Sequence, residues 1–176
     1  YAGKGKEYEF LTLEDGEKQY LEFVNIPETE KIKIGLPTID KKIRAFVPGE
    51  VMSLVAKSSN GKSAFVHNVL LRYAETSGLP TIFFSLEMPM LDVFERTMQI
   101  EYGYAGFEVE ELYRKNDTEI RKKAQTMFST LGSFYTVVKS GLTLEDIANY
   151  IRFGEQNLYK GQRTGLIAID YLSLLH

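Results

Sequence analysis

The sequence predicts an α/β fold, a mostly parallel central sheet flanked by helices on both faces. Three observations carry this expectation. Short apolar runs recur along the chain: VMSLVA at 51–56, TIFFSL at 81–86, FYTVV at 134–138 and LIAIDY at 166–171. Stretches with helical spacing separate them, and such alternation is the signature of parallel strands joined by crossover helices. A loop of small residues, AKSSNGKS at 56–63, joins the first run to the first long helical stretch.

The totals set the scale. At 176 residues and 44% hydrophobic, the chain is long enough for one ordinary globular domain with a real core. A net charge of -3 gives no global pull toward nucleic acid, so any such binding must come from a local patch or an assembly. There are no cysteines, which excludes disulfides, thiolate metal sites and cysteine nucleophiles. A reducing, cytoplasmic location is the expectation. No apolar run is long enough to span a bilayer, and no membrane partner is expected.

The elements follow in order. Residues 1–31 read as an N-terminal extension or linker. YEFLTLEDGEKQYLEF alternates apolar and polar residues around Asp15-Gly16, a turn pair, and predicts a small hairpin; a segment that docks on a neighbour is the other reading. IGLPTIDKKI mixes a Pro turn with one helical turn, and Pro48-Gly49 makes a turn before the strand expected at 51–56. Phe65, Val66, Val69, Leu70 and Tyr73 share one face of a helix over about 62–77, which Gly78 ends. TIFFSL has the continuous apolar character of a strand buried on both faces. A helix fits about 90–102, with one or two more in 107–131. FYTVV reads as a further buried strand. Thr143 with Asp146 forms a capping-box signal for a helix over 143–160, and LIAIDY is the fourth strand.

The loop carries the chemistry. A triphosphate needs many donors at once, and small residues at a helix N-terminus turn successive N–H groups inward. Ser58, Ser59, Asn60, Gly61, Lys62 and Ser63 fit that nest for ATP. Lys62 would reach the β- and γ-phosphates, and the Ser63 hydroxyl would ligate Mg²⁺. The usual pattern opens on glycine; here Ala56 stands first, which suffices if its φ is negative. The bland alternative is a surface loop that contains Gly-Lys-Ser by chance. LIAIDY places Asp170 at a strand's C-terminal end, the edge that faces the ligand in nucleotide-binding parallel sheets, where it would hold Mg²⁺. An ordinary strand-end aspartate is the alternative. Glu87 follows TIFFSL at the same edge, where a carboxylate polarises the attacking water; a solvated glutamate is its alternative.

Taken together, AKSSNGKSAFVHN, FFSLEMP and LIAIDYLSLL resemble the motor domain of DnaB-type replicative helicases, within the RecA-like P-loop ATPases. The approach IGLPTIDKKIRAFVPGEVMSLVA is similar to that family's lead-in. The resemblance covers about residues 33–175 and places a partial RecA-like core at 32–176, with the family's later strands lacking after His176. It implies that Ala56 is an accepted variant, that Lys62 and Ser63 bind phosphates and Mg²⁺, that Glu87 is the catalytic base and that Asp170 is the Walker B acid. Arg96 matches an arginine the family often carries after the glutamate; a solvated helix arginine is the alternative. It further implies a homo-oligomeric ring, a hexamer, acting on single-stranded DNA with other replication proteins. The chain is expected to be a fragment, and poorly active alone, since the arginine that reaches a neighbour's γ-phosphate and the DNA-gripping loops would lie beyond it.

Competing functions remain at this level: a RecA-fold ATPase without unwinding, such as a recombinase or signalling ATPase, or a nucleotide-gated assembly or loader module. A small-molecule kinase fits less well, lacking an evident lid or acceptor site. His67 and His176 have no ligand spacing and read as structural or surface residues. The groups Lys31, Lys33, Lys41, Lys42, Arg44 and Arg114, Lys115, Arg121, Lys122, Lys123 read as solvated faces.

Overall fold

The computed structural model describes residues 10–28, 31–57 and 59–170. Among these the order is α1 (Leu13–Asn25), α2 (Pro37–Asp40), α3 (Lys62–Ser77), β1 (Thr81–Ser85), α4 (Met90–Tyr102), α5 (Gly106–Arg114), α6 (Thr118–Thr130), β2 (Phe134–Val138), α7 (Leu144–Asn157) and β3 (Leu166–Asp170). The strands form one parallel sheet in the order β2-β1-β3. Helices connect them, as the alternating pattern predicts.

The central strand shows why TIFFS is apolar nearly throughout. Both its edges are paired and both its faces are covered, so every residue from Thr81 to Ser85 is buried. Strand side chains alternate between faces. Ile82 and Phe84 enter one cluster with Leu142, Ile147 and Tyr159. Phe83 enters the other, with Leu70 from α3 and Val93 from α4. Burying each such side chain is worth roughly 1.5–3 kcal/mol. A third cluster lies among α3 to α6, where Leu71, Ala74, Met98, Val109, Ile120, Ala124, Met127 and Leu131 meet.

Three expectations are corrected. The first is the hairpin at Asp15-Gly16, where the chain forms α1 instead. Thr12 and Asp15 make a reciprocal capping box: the Thr12 hydroxyl accepts from the Asp15 N–H at 3.3 Å, and the Asp15 carboxylate accepts from the Thr12 N–H at 2.9 Å. Lys18 pairs with Glu14 one turn back at 3.0 Å. These local bonds start a helix and leave Gly16 inside it.

The second is the strand at 51–56. VMSLVA is in no sheet and lies exposed; Val55 is 91% accessible. Its run is apolar enough, but a strand exists only where an edge pairs with it, and none of the described strands pairs with this one. The third is the burial of FYTVV. It forms β2 as expected, but at the sheet's edge, so its residues are only partly covered and Val138 is exposed.

Candidate nucleotide-binding site

Helix α3 begins where the loop ends. Its N-cap is Gly61, at φ +77°, a left-handed conformation that glycine adopts without a Cβ penalty. Glycine offers no capping side chain, whereas Thr12, Asp117 and Thr143 cap α1, α6 and α7 with theirs. The first-turn N–H groups of α3 therefore keep their hydrogen-bonding capacity and the positive end of the helix dipole. Ser59 is also left-handed, at φ +65°, and the Asn60 N–H donates to the Lys57 carbonyl at 3.3 Å. Among the described residues, the non-glycine positions with positive φ are Ser59, Asn116 and Lys160, so Ala56 meets the condition set for it. Ser59, Asn60 and Gly61 are exposed, and Ser63 is half-buried at the helix start. Ser58 lies outside the described residues.

Lys62, the first residue of α3, meets the end of β3. Its Nζ stands 3.9 Å from Oδ1 of Asp170, whose side chain is only 7% exposed. The two residues are far apart in sequence, and the sheet brings them together. Asp170 is level with Ser85 across the β1–β3 pair, and the Leu86 N–H donates to the Asp170 carbonyl at 3.0 Å, extending the ladder by one residue. The C-terminal ends of β1 and β3 thus share an edge with the N-terminus of α3, the place where open parallel sheets bind ligands.

Glu87 follows at that edge. Leu86 is buried and Met88 is half-buried, while Glu87 between them is exposed. The Ser85 hydroxyl donates to the Met88 carbonyl at 2.7 Å, closing the turn that carries Glu87. Pro89 then stands as the N-cap of α4. Lys62, Asp170 and the turn bearing Glu87 therefore gather at one sheet edge from three separate sequence segments.

Comparison with known proteins decides the family. Residues 31–176 match the DnaB-like helicase C-terminal domain. The chain belongs to that family. It is 26% identical over 147 residues to the replicative DNA helicase DnaB of Pasteurella multocida, and 27% identical over 148 residues to that of Haemophilus influenzae. Each match covers 82% of this chain but 31% of the relative, so the chain spans about a third of the length of these helicases. Among solved structures, a helicase ATPase domain superposes with a TM-score of 0.66 at 16% identity, covering 96% of this chain and 60% of that one. That likeness establishes the RecA-like ATPase fold.

Within this DnaB-like core, two residues behave differently from their sequence reading. Arg96 is not a solvated helix arginine: it is half-buried on α4, and its Nη1 is buried with no hydrogen-bond partner among the described residues. His67, on α3, is wholly buried; its Nε2 lies 3.1 Å from the Thr97 hydroxyl on α4, and its ring stacks on Phe134 at 5.7 Å and tilts against Phe83 at 5.5 Å. Burial, aided by the nearby Arg96 charge, lowers its pKa from 6.5 to about 4, so it packs as a neutral ring. Its sequence neighbours in FVHN give no signal of this, because the partners come from β1, β2 and α4. The basic groups sit on solvated faces as expected: Arg114 pairs with Glu110 at 2.5 Å, and Lys31 with Glu28 at 2.7 Å.

Proposed function

We propose that this chain is the ATP-binding and hydrolysing core of a replicative DNA helicase. In the full-length protein it would work in a homo-oligomeric ring, a hexamer, and couple hydrolysis to movement along single-stranded DNA alongside other replication proteins. The observation that carries this reading is the convergence of Lys62, Asp170 and the Glu87 turn at one sheet edge. Family membership supports the helicase role over a recombinase or a loader module.

The residues fit Mg·ATP. The uncapped first turn of α3 and the Lys62 ammonium supply donors and positive charge for the triphosphate, with Ser58, Ser59, Asn60 and Gly61 as the loop. The Ser63 hydroxyl and the Asp170 carboxylate are hard oxygen ligands of the kind Mg²⁺ takes. Bound Mg²⁺ neutralises charge on the β- and γ-phosphate oxygens. Lys62 then turns from Asp170 toward phosphate, a short swing for a four-carbon stem. Glu87, exposed at the edge, accepts a hydrogen bond from the attacking water and orients it.

Two substitutions in the full-length protein test the reading. Lys62→Ala removes one charge-assisted contact and should weaken binding of a fluorescent ATP analogue roughly 10- to 100-fold. Glu87→Gln should leave that affinity intact and slow single-turnover hydrolysis by about 10²–10⁴. Unchanged affinity in the first variant would overturn the loop assignment. Normal turnover in the second would place the base elsewhere.

A further inference from the structure

We propose that Ser85 is a positioning residue that holds Glu87 at its working height above the sheet. The inference rests on the reading of Glu87 as the group that orients water. Ser85 is the last residue of β1 and is 1% exposed, yet it is polar in a strand whose middle residues, Ile82 to Phe84, are all apolar. Its hydroxyl is engaged: it donates to the Met88 carbonyl at 2.7 Å, three residues ahead. The segment between these two atoms is Leu86-Glu87-Met88, and Glu87 is its midpoint.

Four constraints fix that segment. The Leu86 N–H is tied to the Asp170 carbonyl at 3.0 Å, which links the turn to the strand carrying Asp170. The Leu86 side chain packs into the cluster on one face of the sheet, beside Ile82 and Phe84. Met88 packs against the cluster on the other face, beside Leu70, Phe83 and Val93. The Ser85 hydroxyl closes the loop from beneath. The two flanking side chains pull to opposite faces, so Glu87 is left to emerge at the edge between them. Remove the hydroxyl and the far end of the turn loses its hydrogen bond to the strand; the packing of Met88 and the start of α4 at Pro89 are then all that locate it. Glu87 has only to drift by a fraction of its reach for catalysis to suffer, since a misplacement of about 1 Å can cost roughly 10²-fold in rate.

The test is a double-mutant cycle in the full-length protein, read by single-turnover ATP hydrolysis and by affinity for a fluorescent ATP analogue. Ser85→Ala should lower the hydrolysis rate roughly 10- to 100-fold and leave affinity within about twofold. Ser85→Thr keeps the hydroxyl and should restore most of the rate. The deciding variant is Ser85→Ala combined with Glu87→Gln. If Ser85 acts through Glu87, the pair should be no slower than Glu87→Gln alone, because effects of residues acting as a unit do not add. Additive losses, or a fall in affinity matching the fall in rate, would mean that Ser85 supports the fold generally, and would overturn the proposal. A normal rate in Ser85→Ala with a slow Glu87→Gln would overturn it while sparing the reading of Glu87. A normal rate in Glu87→Gln alone would defeat both.

Discussion

VMSLVA and TIFFSL are close to interchangeable as strings. Both are short and mostly apolar, and each runs straight into a segment assigned to nucleotide chemistry. Their fates differ completely. TIFFS becomes the middle strand, with β2 on one side, β3 on the other and helices over both faces. VMSLVA becomes an exposed connector in no sheet. Local preference is therefore not what makes a strand. The half-buried pleated surface and the paired edge do, and both are supplied by other parts of the chain.

The largest expected effect measures this contrast directly. Phe83 is fully buried and Val55 is 91% exposed. Phe83→Ala empties a site between α3, α4 and the sheet and should cost about 3–5 kcal/mol of folding stability. Val55→Ala should change stability by no more than about 0.5 kcal/mol, as surface substitutions do. Urea denaturation of both variants gives the comparison. A loss above about 1 kcal/mol in Val55→Ala would show that 51–56 packs as a strand in solution, and the contrast would collapse.

The same contrast explains what the sequence can reveal. α3, α4, α7, β1 and β3 are legible because their periodicities, glycine stops and caps are written within each segment. The order β2-β1-β3 is not, and so FYTVV reads as fully buried when it is an edge. The helix α1 reads as a hairpin although its own signal is present: Thr12-x-x-Asp15 has the same form as Thr143-x-x-Asp146, but the Asp15-Gly16 turn pair masks it. In the site, the approach of Lys62 to Asp170 follows from the two motifs and the parallel topology. The hydroxyl bond under Glu87 does not, since nothing in FFSLEMP marks Ser85 as facing the Met88 carbonyl.

His67 offers a second measure of how deeply the middle of the sheet is sealed. Its pKa falls from 6.5 to about 4 because burial disfavours the charged ring and Arg96 lies nearby. In the unfolded chain the ring takes up a proton near pH 6.5; in the folded protein it resists until about pH 4. The unfolded state therefore binds more protons between these values, and stability must fall as pH falls through that window. The contribution is whole above about pH 6.5, should be reduced by about 2 kcal/mol at pH 5, and by about 3 kcal/mol below pH 4. Depressed carboxylates such as Asp146 lose their contribution only at lower pH, so the interval from 6.5 down to about 5 isolates the histidine. Stability measured by urea titration at several pH values should show this slope, and His67→Asn, though less stable at pH 7, should flatten it. A slope unchanged in that variant would mean that the ring is reached by water.

The smallest effect sharpens the contrast with matched probes. Thr12 and Thr143 make nearly identical capping boxes. Their N–H groups donate to Asp15 and Asp146 at 2.9 and 2.8 Å, and their hydroxyls accept from the same residues' N–H groups at 3.3 and 3.1 Å. The helices beneath them differ. α7 buries Ile147 and Gly154, with Ile147 in the cluster around Phe84. α1 has no buried residue, and its ties to the rest of the described chain include exposed contacts such as Arg44 over the Phe23 ring at 4.8 Å. A cap's worth is felt globally only if its helix unfolds with the core. Thr143→Ala should therefore lower global stability by about 1 kcal/mol. Thr12→Ala should leave the global transition within about 0.5 kcal/mol of wild type, because a 13-residue helix without buried residues is marginal in either case. Its effect should emerge instead as faster amide exchange confined to 13–25, the mark of local opening. Equal losses from the two variants would show that α1 folds with the core, held by contacts stronger than these exposed ones. Local propensity would then decide the fate of α1, as it fails to do for VMSLVA.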